Sequence, residues 1–156
     1  IRDSGASRGL GDVYKRQRFD THLIQIIQDF DDTIKTMVRG DSERLRQVYE
    51  NLMENVIRHV QGPAVLSLKS QVEHSHLVLS LCDDGPGVDE NMLPQLFDRF
   101  FRADDSRSRT SGGSGLGLAI CKNLVEAQAG QIEAYANQPR GLCIRISLPL
   151  FREDQA

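Results

Sequence analysis

Ser111 to Ile120 reads SGGSGLGLAI, with Gly112, Gly113, Gly115 and Gly117 crowded immediately before an apolar run of helical period. Few kinds of local structure accommodate such a stretch. Glycines admit φ > 0 and let another group approach the backbone with no Cβ in the way, while the unpaired N–H groups that open a helix favour an anion. Two readings follow, a phosphate cradle at a helix start and a flexible turn, and the surrounding residues have to separate them.

At 156 residues the chain is the length of one domain with a substantial core. A net charge of -3 gives no general attraction to nucleic acid or an anionic surface, and basic residues gather only around Arg99 to Arg109. Nucleic acid is not an expected partner. Cys82, Cys121 and Cys143 are far apart in sequence and each lies in an apolar run, which predicts buried thiols in a reducing, cytosolic setting rather than a metal site or a disulfide. No apolar run approaches the ~20 residues needed to span a bilayer, and no secretory signal pattern opens the chain.

Residues 1–17, rich in Gly, Ser and Arg, lack an apolar period and are expected to be a disordered lead-in, their ends resembling translated adaptor strings rather than native protein. The domain is expected over residues 18–151, with 152–156 as a frayed tail. Phe19, Leu23, Ile26, Ile27 and Phe30 have helical spacing and predict a helix over Thr21 to Asp29, on which His22 is an exposed residue. Thr33 to Val38 predicts a short strand. Asp41 or Ser42 caps a second helix, whose stripe of Leu45, Val48, Tyr49, Leu52, Val56 and Val60 faces the core until Gln61, Gly62 and Pro63 end it. At about 100° per residue, Asn51, Asn55 and Arg58 share an adjacent stripe. Asn is a poor helix interior residue, so two of them one turn apart call for a function or are simply solvated.

Ala64 to Lys69 and Leu77 to Leu81 predict strands joined by a turn at Glu73 to Ser75, to which His74 belongs. The second strand runs into CDDGPGV, so a carboxylate, Asp83, stands at a strand end beside Gly85 and Gly87. Asn91 to Phe97 predicts a short helix, followed by a charged loop of about fifteen residues, a length that usually marks a lid or disorder. Phe97, Phe100 and Phe101 at its base are readable as core anchors or as ligand contacts. A helix over Ser114 to Ala129 and strands over Gln131 to Ala136 and Leu142 to Leu148, joined through Gln138, Pro139, Arg140 and Gly141, complete an α+β pattern: one mixed sheet with helices layered on one face.

The segments DSERLRQVYENLMENVIRH, DDGPGV, LFDRFFRADDSRSR and SGGSGLGLAI, in that order over Asp41 to Pro149, resemble the N, G1, F and G2 boxes of the ATP-binding domain of sensor histidine kinases, members of the GHKL superfamily. The segment from Phe100 to Ile132 is similar to the envelope-stress branch of that family. The resemblance implies a two-layer Bergerat α/β sandwich, mostly antiparallel, with a long ATP lid, and ATP and Mg²⁺ as ligands. It implies that Asp83 accepts from the adenine amino group, with Gly85 and Gly87 leaving room for the ring. It gives Mg²⁺ to Asn55, with Asn51 in support, places Arg58 and His59 beside the nucleotide, and sets Arg102 on the γ-phosphoryl group. Gly113, Gly115 and Gly117, with Leu116 and Leu118, would hold the triphosphate, and Phe100 would contact the nucleotide.

Further partners implied are a histidine-bearing phosphoacceptor and dimerisation domain, which His22 does not resemble, and a response regulator in a two-component phosphorelay. The parent would sit in a bacterial inner membrane with this domain in the cytoplasm. Gln128, Ala129 and Gly130 stand where relatives often carry His-Gly-Gly, and Cys143 where a threonine is common. Three rivals carry other chemistry. A gyrase- or chaperone-type ATPase needs a glutamate base where Asn51 stands, with Glu50 and Glu54 expected on other sides of the helix. An anti-sigma-type serine kinase and a non-catalytic nucleotide-binding module are the others.

Overall fold

The computed structural model describes residues 24–30, 38, 40–60, 62–103 and 114–151. Five strands, β1 (Ile24–Phe30), β2 (Ala64–Glu73), β3 (His76–Asp83), β4 (Gln131–Ala136) and β5 (Leu142–Pro149), form one sheet in the order β1-β2-β3-β5-β4. β1 lies parallel to β2 and every other pairing is antiparallel. Helices α1 (Ser42–His59) and α2 (Gly117–Glu126) are layered on one face, and a short 3-10 helix covers Glu90–Gln95. This is the expected two-layer sandwich.

The predicted α1 forms because its apolar stripe has somewhere to go. Val48, Leu52, Met53 and Val56 are buried against Leu66 and Leu68 of β2, Leu81 of β3, Ile144, Ile146 and Leu148 of β5, and Cys121 and Val125 of α2. Asp41 caps the helix, its Oδ1 accepting from the N–H groups of Glu43 at 2.9 Å and Arg44 at 3.2 Å. Gln128, in the turn after α2, accepts from Asp41 N–H at 2.8 Å and donates to Leu124 O at 2.8 Å, tying the start of one helix to the end of the other.

Several expectations are corrected. The segment predicted as a helix over Thr21 to Asp29 is strand β1 over Ile24–Phe30 where it is described. Ile24 and Ile26 alternate toward the core while Gln25 and Ile27 face out, and parallel pairing with β2 satisfies a row of backbone groups that an isolated helix would have had to satisfy by itself. The strand expected at Thr33 to Val38 lies outside the described residues except Val38, which bridges Leu150. The helix expected over Asn91 to Phe97 is the 3-10 helix, and that expected over Ser114 to Ala129 is the shorter α2, followed by a turn in which Ala129 has φ 57°. No helix among the described residues is long and apolar enough to cross a membrane.

Two of the three cysteines are not thiols. The β3–β5 register sets Cys82 opposite Cys143 with Cα atoms 4.1 Å apart, and they form a disulfide on the sheet face away from the helices. Cys121, on the helix side, is a free thiol with no exposure, which burial pushes up to about 11 against the influence of the neighbouring Asn51 amide. It donates to Val48 O at 3.6 Å and is an inert part of the core.

Candidate functional site

A cleft of about 480 Å³ opens where the second half of α1, the turn Asp83–Val88, the segment Leu96–Ala103, the start of α2 and the β4–β5 turn meet. Its distinguishing residue is Asp83, 7% exposed and the one buried charged side chain among the described residues. Burial pushes its carboxyl above the ordinary carboxylate range. The N–H groups of Gly85 and Leu142 act against that rise, the charge of Asp84 adds to it, and His59 opposes it. Both N–H groups reach the same oxygen, Oδ1, at 2.9 Å and 3.4 Å.

The backbone around this carboxylate has no room for side chains. A Cβ on Gly85 would lie 2.9 Å from Asp83 Oδ1 and 3.0 Å from Val60 Cγ2. Gly87 has φ 73°, and its Cβ would lie 2.9 Å from Gly141 O. Asp84 keeps the turn in register, its N–H donating to Val65 O at 3.2 Å and its Oδ1 accepting from Val65 N–H at 2.8 Å.

From α1, Asn51, Asn55 and Arg58 line the cleft, as their helical spacing required, and so does His59, which the resemblance placed there. Asn51 Nδ2 is buried next to the Cys121 thiol and has no hydrogen-bond partner among the described residues. Glu54 was expected to face elsewhere. It lies on the cleft rim instead, exposed, because the cleft is wider than the stripe defined by the two asparagines.

On the far side, Gly115, Gly117, Leu118 and Arg102 line the cleft, while Gly113 lies outside the described residues. Gly115 has φ 68°, and its Cβ would meet Phe100 Cα at 2.9 Å. Its carbonyl accepts from Phe100 N–H at 3.0 Å. Leu116 is the N-cap residue of α2, provides no side-chain cap, and does not line the cleft. Among the described residues, the opening N–H groups of α2 therefore have no side-chain cap.

Phe100 does not line the cleft either. Held at φ 65° by its bond to Gly115, it is 70% exposed, and Phe101 lines the cleft in its place. Sequence reasoning also missed the β4–β5 turn, whose Arg140 and the following Leu142 line the cleft. The Pro-Arg-Gly signal in this turn spoke of a chain reversal and not of what the reversal touches.

The family described as "Histidine kinase-, DNA gyrase B-, and HSP90-like ATPase" matches residues 40–152. The chain belongs to that family. It is 40% identical over 140 residues to the signal transduction histidine-protein kinase BaeS of Escherichia coli (strain K12), covering 90% of this chain and 30% of that protein. It is 42% identical over 120 residues to the sensor protein SphS of Synechococcus elongatus, covering 72% of this chain and 29% of that one. The chain thus spans under a third of the length of these curated relatives. Among solved structures, the mycobacterial sensor histidine kinase MprB superposes with a TM-score of 0.74 at 29% identity, covering 89% of this chain and 92% of that one. The catalytic domain of the histidine kinase ThkA, at 23% identity and a TM-score of 0.75 over 88% and 86%, shows the same fold. The residues that line the cleft, from Asn51 to Leu142, all lie within the stretch that the family model matches.

Proposed function

We propose that this domain passes the γ-phosphoryl group of ATP to a histidine carried on a separate helical domain of its parent kinase, which in turn supplies a response regulator. The observation that carries the reading is the buried Asp83 carboxylate at the end of β3, flanked by glycines whose Cβ atoms would fill the adjoining space. A carboxylate there accepts from the exocyclic amine of adenine and repels the carbonyl of guanine. His59 and Arg58, on the cleft wall, flank the nucleotide. Gly113, Gly115 and Gly117 bring backbone N–H groups to the triphosphate, with Leu118 packed beneath. Arg102 neutralises charge at the γ-phosphoryl.

The residues fit a divalent cation. Mg²⁺ takes oxygen ligands and keeps several waters, and Asn55 offers an amide oxygen on the cleft wall one turn from Asn51. Asn55 would hold the ion and Asn51 orient around it, the cation supplying charge neutralisation between phosphate oxygens. The functional unit is 18–151, and the parent is a bacterial inner-membrane protein with this domain in the cytoplasm.

Transfer requires the nucleophile to be held in line with phosphorus, a placement that can be worth roughly 7–11 kcal/mol of barrier. The chain incubated with radiolabelled ATP should therefore bind it without labelling itself. Addition of the histidine-bearing hairpin of a relative such as BaeS should give slow labelling in trans, with phosphate that is labile in acid and stable in base. Strong labelling of the chain by itself, or acid-stable phosphoserine on a partner, would favour the serine-kinase reading.

A further inference from the structure

We propose that Asn137 is a positioning residue for base recognition, its side-chain amide fixing the end of β3 so that the Asp83 carboxylate stays aimed into the cleft. The proposal rests on the reading of Asp83 as the adenine acceptor. Asn137 immediately follows β4 and faces Asp83 across 54 residues of sequence. Its Nδ2 donates to the backbone carbonyl of Asp83 at 2.8 Å, its Oδ1 accepts from Gln138 N–H at 3.0 Å, and its own N–H donates to Gly141 O at 3.0 Å. One side chain thus shapes the β4–β5 turn and grips the residue beneath the base.

The rest of the turn presses on the same residue. Gly141, at φ 114°, has its backbone so close that a Cβ would lie 1.9 Å from Asp83 O, and Leu142 N–H reaches Asp83 Oδ1. Asp83 is therefore held at its carbonyl by Asn137, along its backbone by Gly141 and at its carboxylate by Leu142. The second carboxylate oxygen has no protein hydrogen bond among the described residues and remains available to a ligand. Loss of the Asn137 donor would remove the side-chain hydrogen bond that holds this part-buried carbonyl and let the strand end shift. A carboxylate that must meet one amine in one direction loses affinity with a small displacement.

The test compares two nucleotides on the full chain, ATP and purine riboside triphosphate, which lacks the exocyclic amine, by titration calorimetry with thermal midpoints recorded for every variant. Asn137→Ala should weaken ATP about tenfold and leave the amine-free nucleotide within about twofold. Asn137→Asp keeps the acceptor for Gln138 N–H and hence the turn, but cannot donate to Asp83 O, and should show the same selective loss. Asn137→Ser, which retains a donor, should recover part of it. Equal weakening of both nucleotides in Asn137→Ala, or an unchanged preference for ATP in a folded Asn137→Asp, would overturn the proposal. Asp83→Asn is the reference. If it abolishes the preference for ATP while Asn137→Asp keeps it, the positioning role alone fails; if it too keeps the preference, the adenine reading falls and the positioning role with it.

Discussion

The two ends of the cleft are built in opposite ways. Where Asp83 stands, strand ends and a turn meet, and the protein's own donors hold one carboxylate oxygen through Gly85 and Leu142 and the carbonyl through Asn137, leaving the other carboxylate oxygen for a ligand. At the other end, among the described residues, α2 begins without a side-chain cap and Asn51 Nδ2 has no hydrogen-bond partner. The first end is fixed in place before a ligand arrives, with one acceptor oxygen left for it; the second leaves the opening N–H groups of α2 for a ligand to satisfy. A flat base needs one fixed acceptor in one place, whereas a hydrated, metal-bound polyanion is held by many donors at once, and the division of labour follows from that difference.

If the base end is a rigid unit, damage there should show in the apo protein, and damage at the phosphate end should show only with nucleotide. The largest contrast is between two glycines. Gly141→Ala forces a Cβ against Asp83 O at a positive φ and should cost about 3 kcal/mol of apo stability. Gly117→Ala places its Cβ in open space at the first turn of α2, and should leave apo stability unchanged or raise it by up to about 1 kcal/mol while weakening ATP. Thermal or urea unfolding of the two variants, with and without ATP, checks the pair. Equal apo destabilisation by both would break the contrast.

A smaller effect concerns Asp83 itself. Its carboxyl is raised by burial, so between the ordinary carboxylate value and the raised one the folded chain holds a proton that the unfolded chain has lost. Stability therefore falls as pH rises through that window, and at neutral pH the ionised group is a net cost to the fold. Asp83→Asn should raise the apo midpoint at pH 7 by about 2 °C, and ATP affinity of the unaltered chain should fall as pH drops through the raised value. A lowered midpoint together with pH-independent affinity would mean that this carboxylate serves the fold rather than the ligand.

What could be read in advance also divides along these lines. Local signals carried α1, its Asp41 cap, the Asp83-Gly85-Gly87 turn and the glycines before α2, because helical periodicity and φ requirements are written in neighbouring residues. Features that depend on register between distant segments were not legible. β1 satisfies a helical wheel as well as a strand pattern, and only its pairing with β2 decides. The disulfide partners Cys82 and Cys143 are 61 residues apart and meet through the β3–β5 ladder. Asn137 and Arg140 read as a turn until the sheet brings that turn onto Asp83. Phe100 and Phe101, adjacent in sequence, exchanged roles because one backbone angle turns the first outward.

The division between the two ends is tested most directly by titrating ATP into the unaltered chain, Asp83→Asn and Asn55→Ala, each with and without Mg²⁺. The account predicts that Asp83→Asn weakens ATP by about 10- to 100-fold in both conditions, since a hydrogen bond to a charged acceptor is lost whether or not the metal is there. Asn55→Ala should weaken ATP about tenfold with Mg²⁺ and hardly at all without it. Equal losses by the two variants, or a loss in Asn55→Ala that ignores Mg²⁺, would contradict the assignment of base and phosphate to opposite ends of the cleft.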